Sequence, residues 1–319
     1  MERVGANTDA TAADPPEDHA EATREARPGQ PIIVGLDGLR HDADALALGQ
    51  QLRRALGARL LLAHVIAPAP LGRGMAEYER LERKDGQDML ALTAAELGGD
   101  VEVQLLDPGR PATALSRLVA SCGGMLVLGS GHRGPIGRVV PGGVASHLLT
   151  RAHCPIAVAP VGYGKLAKAG VSRVGVAYDG TSEARVALEQ AADAAGRLSV
   201  PLRLYIAIHE ISDDPAWDAF RAHITDFAQH ILGAGLQRLP AEIDASGVVL
   251  EGPVPKVIAH QAFDDRVDLL YVGSRGYGPL REALLGGVAG GLLLTARCPL
   301  VIIPRAFTRR SSDGESAAE

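Results

Sequence analysis

Pro31-Ile-Ile-Val-Gly-Leu-Asp37-Gly38 returns 142 positions later as Val174-Gly-Val-Ala-Tyr-Asp179-Gly180. Each stretch is a short aliphatic strand that stops at Asp-Gly. Everything after the first copy recurs after the second. Helical stretches Ala43 to Leu56 and Ala184 to Leu198 follow, then strands Leu60 to Ile66 and Leu202 to Ile208. Longer helical segments come next, Met75 to Leu97 and Trp217 to Leu239, with Trp217 expected to pack. Third strands are weak, Val101 to Leu105 and Val248 to Leu250. Each precedes a helix opened by a Gly-x-Pro or Gly-Pro turn, Gly109-Arg-Pro111 and Gly252-Pro-Val. Fourth strands Met125 to Leu128 and Leu269 to Val272 end in Gly129-Ser130 and Gly273-Ser274. Fifth strands follow Cys154-Pro and Cys298-Pro, with both pairs of landmarks 144 positions apart.

A near-constant offset over five landmarks marks an internal duplication, and it decides the architecture. The β-α-β-α-β-α-β-α-β order predicts parallel strands with right-handed crossovers. The expected fold is α/β: two tandem, open, twisted, five-stranded parallel sheets with helices on both faces, a Rossmann-like three-layer sandwich. The expected organisation is a tail at 1–30, a first domain at 31–161, a second at 171–305 and a tail at 306–319. Both tails lack periodicity and read as disordered. Aromatics make up only 3% of the 319 residues, so the core must be aliphatic. That suits strands buried on both faces.

Composition excludes several classes. A net charge of −6 disfavours a nucleic-acid binder. No apolar run is long enough to span a bilayer, and residues 1–30 lack the apolar core of a secretory signal. Three cysteines make no disulfide framework, so a reducing cytoplasm is the expected location. Cys154 and Cys298 read as small buried hydrophobes rather than a redox pair. His147, His153 and Cys154 have no second half for a metal site, and His64 reads as a core-edge residue.

In open parallel sheets, ligands sit at the carboxyl ends of the strands. Asp37, Asp179 and both Gly-Ser loops stand there. The second loop reads Gly273-Ser-Arg275-Gly276, then nine residues, then Gly286-Gly287-Val288-Ala289. Early glycines let a ligand approach the backbone, and Gly286-Gly287 stand where a helix would begin. Free N–H groups at such a start favour an anion. A G-x-G-x-x-G string occurs at Gly129-Ser-Gly131-His132-Arg-Gly134, but after the fourth strand. No acid follows at dinucleotide spacing, which argues against a dehydrogenase. There is no P-loop motif. Asp37 and Asp179 are expected to hold loop N–H groups rather than act as bases.

The G-x2-G-x9-G spacing, Asp-Gly after strand one and Cys-Pro before strand five together resemble the ATP-binding branch of the universal stress protein family. The resemblance covers residues 31–305 in two copies. It implies that Asp179 and Ala207 border an adenine, and that Val272, Gly273 and Gly276 line ribose and phosphates. Arg275 is a candidate phosphate contact, and Gly286, Gly287, Val288 and Ala289 would offer backbone donors. The matching first-copy residues are Asp37, Val65, Leu128, Gly129, His132, Gly142, Gly143, Val144 and Ala145. The family's final glycine is normally followed by Ser or Thr. Here Gly287 and Gly143 stand in that place, with Ala289 and Ala145 two positions on. The first copy also puts His132 at the second motif glycine, so the second copy is the favoured site.

The expected ligand is therefore ATP, with or without Mg²⁺, or a related adenine nucleotide, bound for stress signalling rather than turnover. The competing readings are a nucleotide-free interaction module and, third, a weak ATPase. Family resemblance also makes strand five a seam. Pro155 to Ala159 could pair with Pro299 to Ile303 within the chain, and two chains could add a homodimer contact.

Overall fold

The structure is a computed structural model. It describes residues 30–39, 42–69, 75–130, 143–151, 154–166, 170–212, 214–274, 287–304 and 307, with the main chain alone at 149–151. The loops carrying His132, Gly142, Arg275, Gly276 and Gly286 lie outside the described residues, as does nearly all of both predicted tails.

The first half contains β1 (Ile32–Leu36), α1 (Asp42–Leu56), β2 (Leu60–Val65), α2 (Met75–Leu97), β3 (Val101–Leu106), α3 (Pro111–Cys122), β4 (Met125–Gly129), α4 (Gly143–Arg151) and β5 (Ile156–Ala159). A four-residue turn of helix, α5 (Tyr163–Leu166), leads to the second half. There follow β6 (Val174–Ala177), α6 (Ser182–Leu198), β7 (Leu202–Ile208), α7 (Asp218–Gln237) and β8 (Ala245–Glu251). The half closes with α8 (Val254–Asp264), β9 (Leu269–Ser274), α9 (Gly287–Thr295) and β10 (Leu300–Pro304).

The two five-stranded units predicted from the repeat join into one ten-stranded sheet, ordered β3-β2-β1-β4-β5-β10-β9-β6-β7-β8. Strands within each half are parallel. At the centre β5 and β10 run antiparallel, with Val158 opposite Leu300 and Ile156 opposite Ile302. The halves therefore run in opposite senses, and their carboxyl ends open on opposite margins of the sheet. In each half the chain order reverses between the first and fourth strands, which are neighbours.

Aliphatic strands buried on both faces form the middle layer. Ile33, Val34, Leu126, Val127, Ile156 and Val158 are all fully buried. Each such side chain contributes about 1.5–3 kcal/mol. Core residues of α1, α2, α6 and α7 cover one face as a single apolar cluster running through both halves. Those of α3, α4, α8 and α9 cover the other. Small residues set the helix spacing. A side chain at Gly49 of α1 would lie 2.5 Å from Val34, and α6 turns Ala184, Ala187, Ala191, Ala194 and Ala195 inward.

Two expectations need correction. Trp217 belongs to a short 3-10 turn before α7, is 48% exposed, and makes an edge contact with Phe220 instead of packing in the core. The reason is helix length. Ile231 already lies against Gly180, just past the end of β6. The buried residues of α7, Ala228, Leu232 and Gly235, all lie in its second half, so its first half extends past the packed part of the sheet. The third strand of the second half spans seven residues, not three.

Candidate functional site

The turn after β1 is built from two carboxylates. Asp37 Oδ1 accepts from the Leu39 N–H at 2.9 Å. Asp42, opening α1, accepts from the N–H groups of Asp37 at 3.0 Å and Gly38 at 2.8 Å. Gly38 has φ +80°, and its counterpart Gly180 has φ +77°. That left-handed conformation explains why Asp-Gly recurs in both halves. Burial, assisted by the neighbouring Asp37 charge, pushes the Asp42 carboxyl up to about 6.

Beside this turn lies a cavity of about 340 Å³, within the size range of small-molecule sites. Four strands or helix starts converge on it. Gly35, Leu36 and Asp37 come from β1 and its turn, Ala63 and Val65 from β2. Leu128, Gly129 and Ser130 end β4, and Gly143, Val144 and Ala145 begin α4. Pro111 and Leu115 of α3 close one side. The wall is apolar except for Asp37, Ser130 and main-chain groups. Ser130 is buried, and its hydroxyl donates to the Ala159 carbonyl at 2.5 Å. No Lys or Arg is among these lining residues, so an anionic group here would depend on the first N–H groups of α4.

The second half repeats the turn with different chemistry. Asp179 Oδ1 accepts from the Thr181 N–H at 3.1 Å and hydroxyl at 2.6 Å, and Thr181 caps α6. Val272 is buried in β9 and Ala207 is half-buried in β7. A side chain at Gly273 would sit 2.6–2.9 Å from the main chain of Glu183 and Ala184. Only glycine permits α6 to close onto the end of β9 there. Gly287, at φ +83°, opens α9 ahead of Val288 and Ala289, as the sequence predicts for a helix start.

The family model for the universal stress protein family matches residues 29–160 and again 170–304. The chain belongs to the universal stress protein family. A universal stress protein of Mycobacterium tuberculosis (strain H37Rv) is 28% identical over 290 residues, covering 85% of this chain and 96% of the relative. A second, from M. tuberculosis strain CDC 1551, is 26% identical over 309 residues, covering 85% and 94%. Among solved structures, a universal stress protein from Archaeoglobus fulgidus superposes with TM-score 0.64 at 18% identity. It covers 86% of this chain and 96% of that one. A Pseudomonas aeruginosa protein of unknown function gives TM-score 0.62 at 16% identity, covering 90% and 97%.

Within this universal stress protein, the candidate residues of the first copy that can be placed line one cavity: Asp37, Val65, Leu128, Gly129, Gly143 and Val144, with Ala145. Gly35, Ala63, Pro111, Leu115 and Ser130 share that wall and were not singled out from the sequence. Three of them adjoin a landmark that was: Gly35 precedes Asp37 by two, Ser130 follows Gly129, and Pro111 ends the Gly-x-Pro turn. A second group escaped the sequence altogether. Asp44 is 6% exposed, and its carboxylate accepts from the N–H groups of Gly162 and Gly164, each at 2.8 Å. It ties the segment after β5 to α1, where the Tyr163 hydroxyl also donates to Gln51.

The remaining candidates keep structural roles. His64 Nδ1–H donates to the Leu36 carbonyl, 2.9 Å away, at the core edge. All three cysteines are free. Cys154 is buried, and burial pushes both its thiol and that of Cys298 up to about 12. Among the described residues no group of His, Cys, Asp and Glu could hold a metal ion, and no helix is long and apolar enough to cross a membrane.

Proposed function

We propose that the protein binds an adenine nucleotide, ATP or a close relative, and that the bound state is read by a partner in stress adaptation. The observation that carries this reading is the first-half cavity. Residues from β1, β2, β4 and α4, separated by up to 110 positions (Gly35 to Ala145), meet around one space beside Asp37. Its apolar wall suits a base. Its acidic corner suits an amino or hydroxyl donor, and the start of α4 suits phosphate. Binding rather than turnover is favoured, because Asp37 and Asp179 are each engaged by the turn that follows them. With or without Mg²⁺, ligand affinity rests on backbone donors. We place the protein in the cytoplasm, supported by its three free thiols.

A second reading, a nucleotide-free interaction module, is favoured by Ala145 and Ala289. Neither offers a hydroxyl to phosphate. The test is direct. Freshly purified protein is denatured and its supernatant run on ion exchange, then ligand-free protein is titrated calorimetrically with ATP, AMP and cyclic AMP. Adenine nucleotide near stoichiometry, or micromolar binding, supports the proposal. Val65→Trp should fill the first-half cavity and Ala207→Trp the matching second-half position. Binding lost only with Val65→Trp assigns the first half, and binding lost only with Ala207→Trp assigns the second. No nucleotide and no heat would leave the interaction module.

A further inference from the structure

Among the described residues the ten-stranded sheet ends at two unpaired edges, β3 and β8, and they differ in kind. Edge β3 carries charge. Glu102 pairs with Arg59, which immediately precedes β2, and Asp107 just beyond the end of β3 pairs with Arg83 at 3.1 Å. Such charges deter edge-to-edge association. Edge β8 reads Ala245-Ser-Gly-Val-Val-Leu-Glu251, six residues without a charge. Val248 and Leu250 pack toward the α8 side and Val249 toward the α7 side, and all three are only partly buried. Both faces of this edge are thus apolar and incompletely covered.

The hydrogen-bond parity of β8 is fixed by two bonds at its ends. Leu202 N–H donates to the Asp244 carbonyl at 2.8 Å, and Gly252 N–H donates to the Ile208 carbonyl at 3.0 Å. In a parallel ladder with this register, Ser246, Val248 and Leu250 turn their main-chain groups toward β7. Ala245, Gly247, Val249 and Glu251 turn theirs outward, and among the described residues no strand pairs with them.

We propose that β8 pairs antiparallel with β8 of a second copy of this chain, about a two-fold axis at Val248. That register sets Gly247 of one copy opposite Val249 of the other, and Ala245 opposite Glu251. Every residue in those pairs is of the outward set, so each Gly247–Val249 pair exchanges two hydrogen bonds. The valine of one copy lies beside the residue without a side chain in the other. The contact is self-complementary, as an isologous dimer requires. It continues the sheet by the same antiparallel edge pairing that already joins β5 to β10.

The experiment uses the full chain. Sedimentation velocity from about 1 to about 100 µM should show a species of twice the 33.2 kDa chain mass growing with concentration. Val249→Pro removes an outward N–H and none of those directed at β7, and Val249→Lys places a charge on the edge. Both should remain monomeric with an unchanged circular dichroism spectrum. Should either variant misfold, hydrogen exchange on the wild type decides. Amides of Gly247, Val249 and Glu251 should gain protection with concentration, while those of Val248 and Leu250 are protected throughout. A wild-type monomer at about 100 µM, a folded Val249 variant that still dimerises, or outward amides indifferent to concentration would each overturn the proposal.

Discussion

Removing the Asp44 carboxylate should detach the segment after β5 and weaken the whole chain. Asp44 sits in the first turn of α1 and receives two main-chain N–H groups from more than a hundred residues away. Hydrogen bonds to a charged group are worth about 1.5–3 kcal/mol each, so two amount to about 3–6 kcal/mol. The Gly162 and Gly164 donors are part-buried and would recover some water, which favours the lower end, about 3 kcal/mol. Domains are commonly stable by only about 5–15 kcal/mol, so Asp44→Ala should move the urea midpoint strongly. Asp44→Asn keeps one acceptor oxygen and should cost about half as much. Urea titration followed by far-ultraviolet circular dichroism measures both. The sole tryptophan, Trp217, lies in the second half and reports whether that half follows. A loss below about 0.5 kcal/mol for the alanine variant, or equal losses for Asn and Ala, would refute the clamp.

Other outcomes follow from neighbouring features. Gly164→Ala places a Cβ 2.8 Å from the Ala43 carbonyl, so it should destabilise through the same segment and combine less than additively with Asp44→Ala. Phe307 lies 144 positions after Tyr163 and lines a small cavity of about 40 Å³ with Gln190. Phe307→Tyr should place a hydroxyl in that cavity within reach of a polar partner and add about 0.5–1.5 kcal/mol by urea titration, and a loss of stability would reject the prediction. Asp42 is held at about 6, against 3.8 when unfolded, so the folded chain takes up a proton first as pH falls. Its contribution to stability should rise between pH 6 and about 4. Asp42→Asn should remove that rise from the pH profile of the urea midpoint. With thiols near 12, Cys154 and Cys298 should alkylate at pH 8 roughly a thousand-fold slower than an ordinary thiol, by mass spectrometry, until the chain unfolds.

The duplication was legible because parallel strands buried on both faces must be aliphatic throughout, and the turns between them need particular residues. Ile32 to Leu36 and Val174 to Ala177 could be recognised for that reason, as could Asp-Gly with its left-handed glycine. The third strand of the second half was read short, since Ser246 and Gly247 interrupt the apolar run. They become strand only through pairing with Arg203 and Leu204. Trp217 misled for the opposite reason. Helical spacing locates an apolar face but cannot tell that the sheet ends beneath it. The first-copy candidates converge because each lies at the end of a strand or the start of the helix that follows it, where the repeat already fixes the order of elements. Asp44 was out of reach, because nothing in local spacing links it to Gly162 and Gly164.

The antiparallel seam between β5 and β10 has a bearing on how such a chain changes over generations. In a homodimer joined there, any substitution would be stamped on both subunits at once. With both halves in one polypeptide, each position is written twice and can be revised singly. The record is visible along the projecting helices. Tyr78, Glu82 and Asp85 of α2 correspond, 142 positions later, to Phe220, Ile224 and Phe227 of α7. At these three positions α2 is polar and α7 apolar. A single gene has thereby acquired two unlike ends, free to specialise without either having to suit the other.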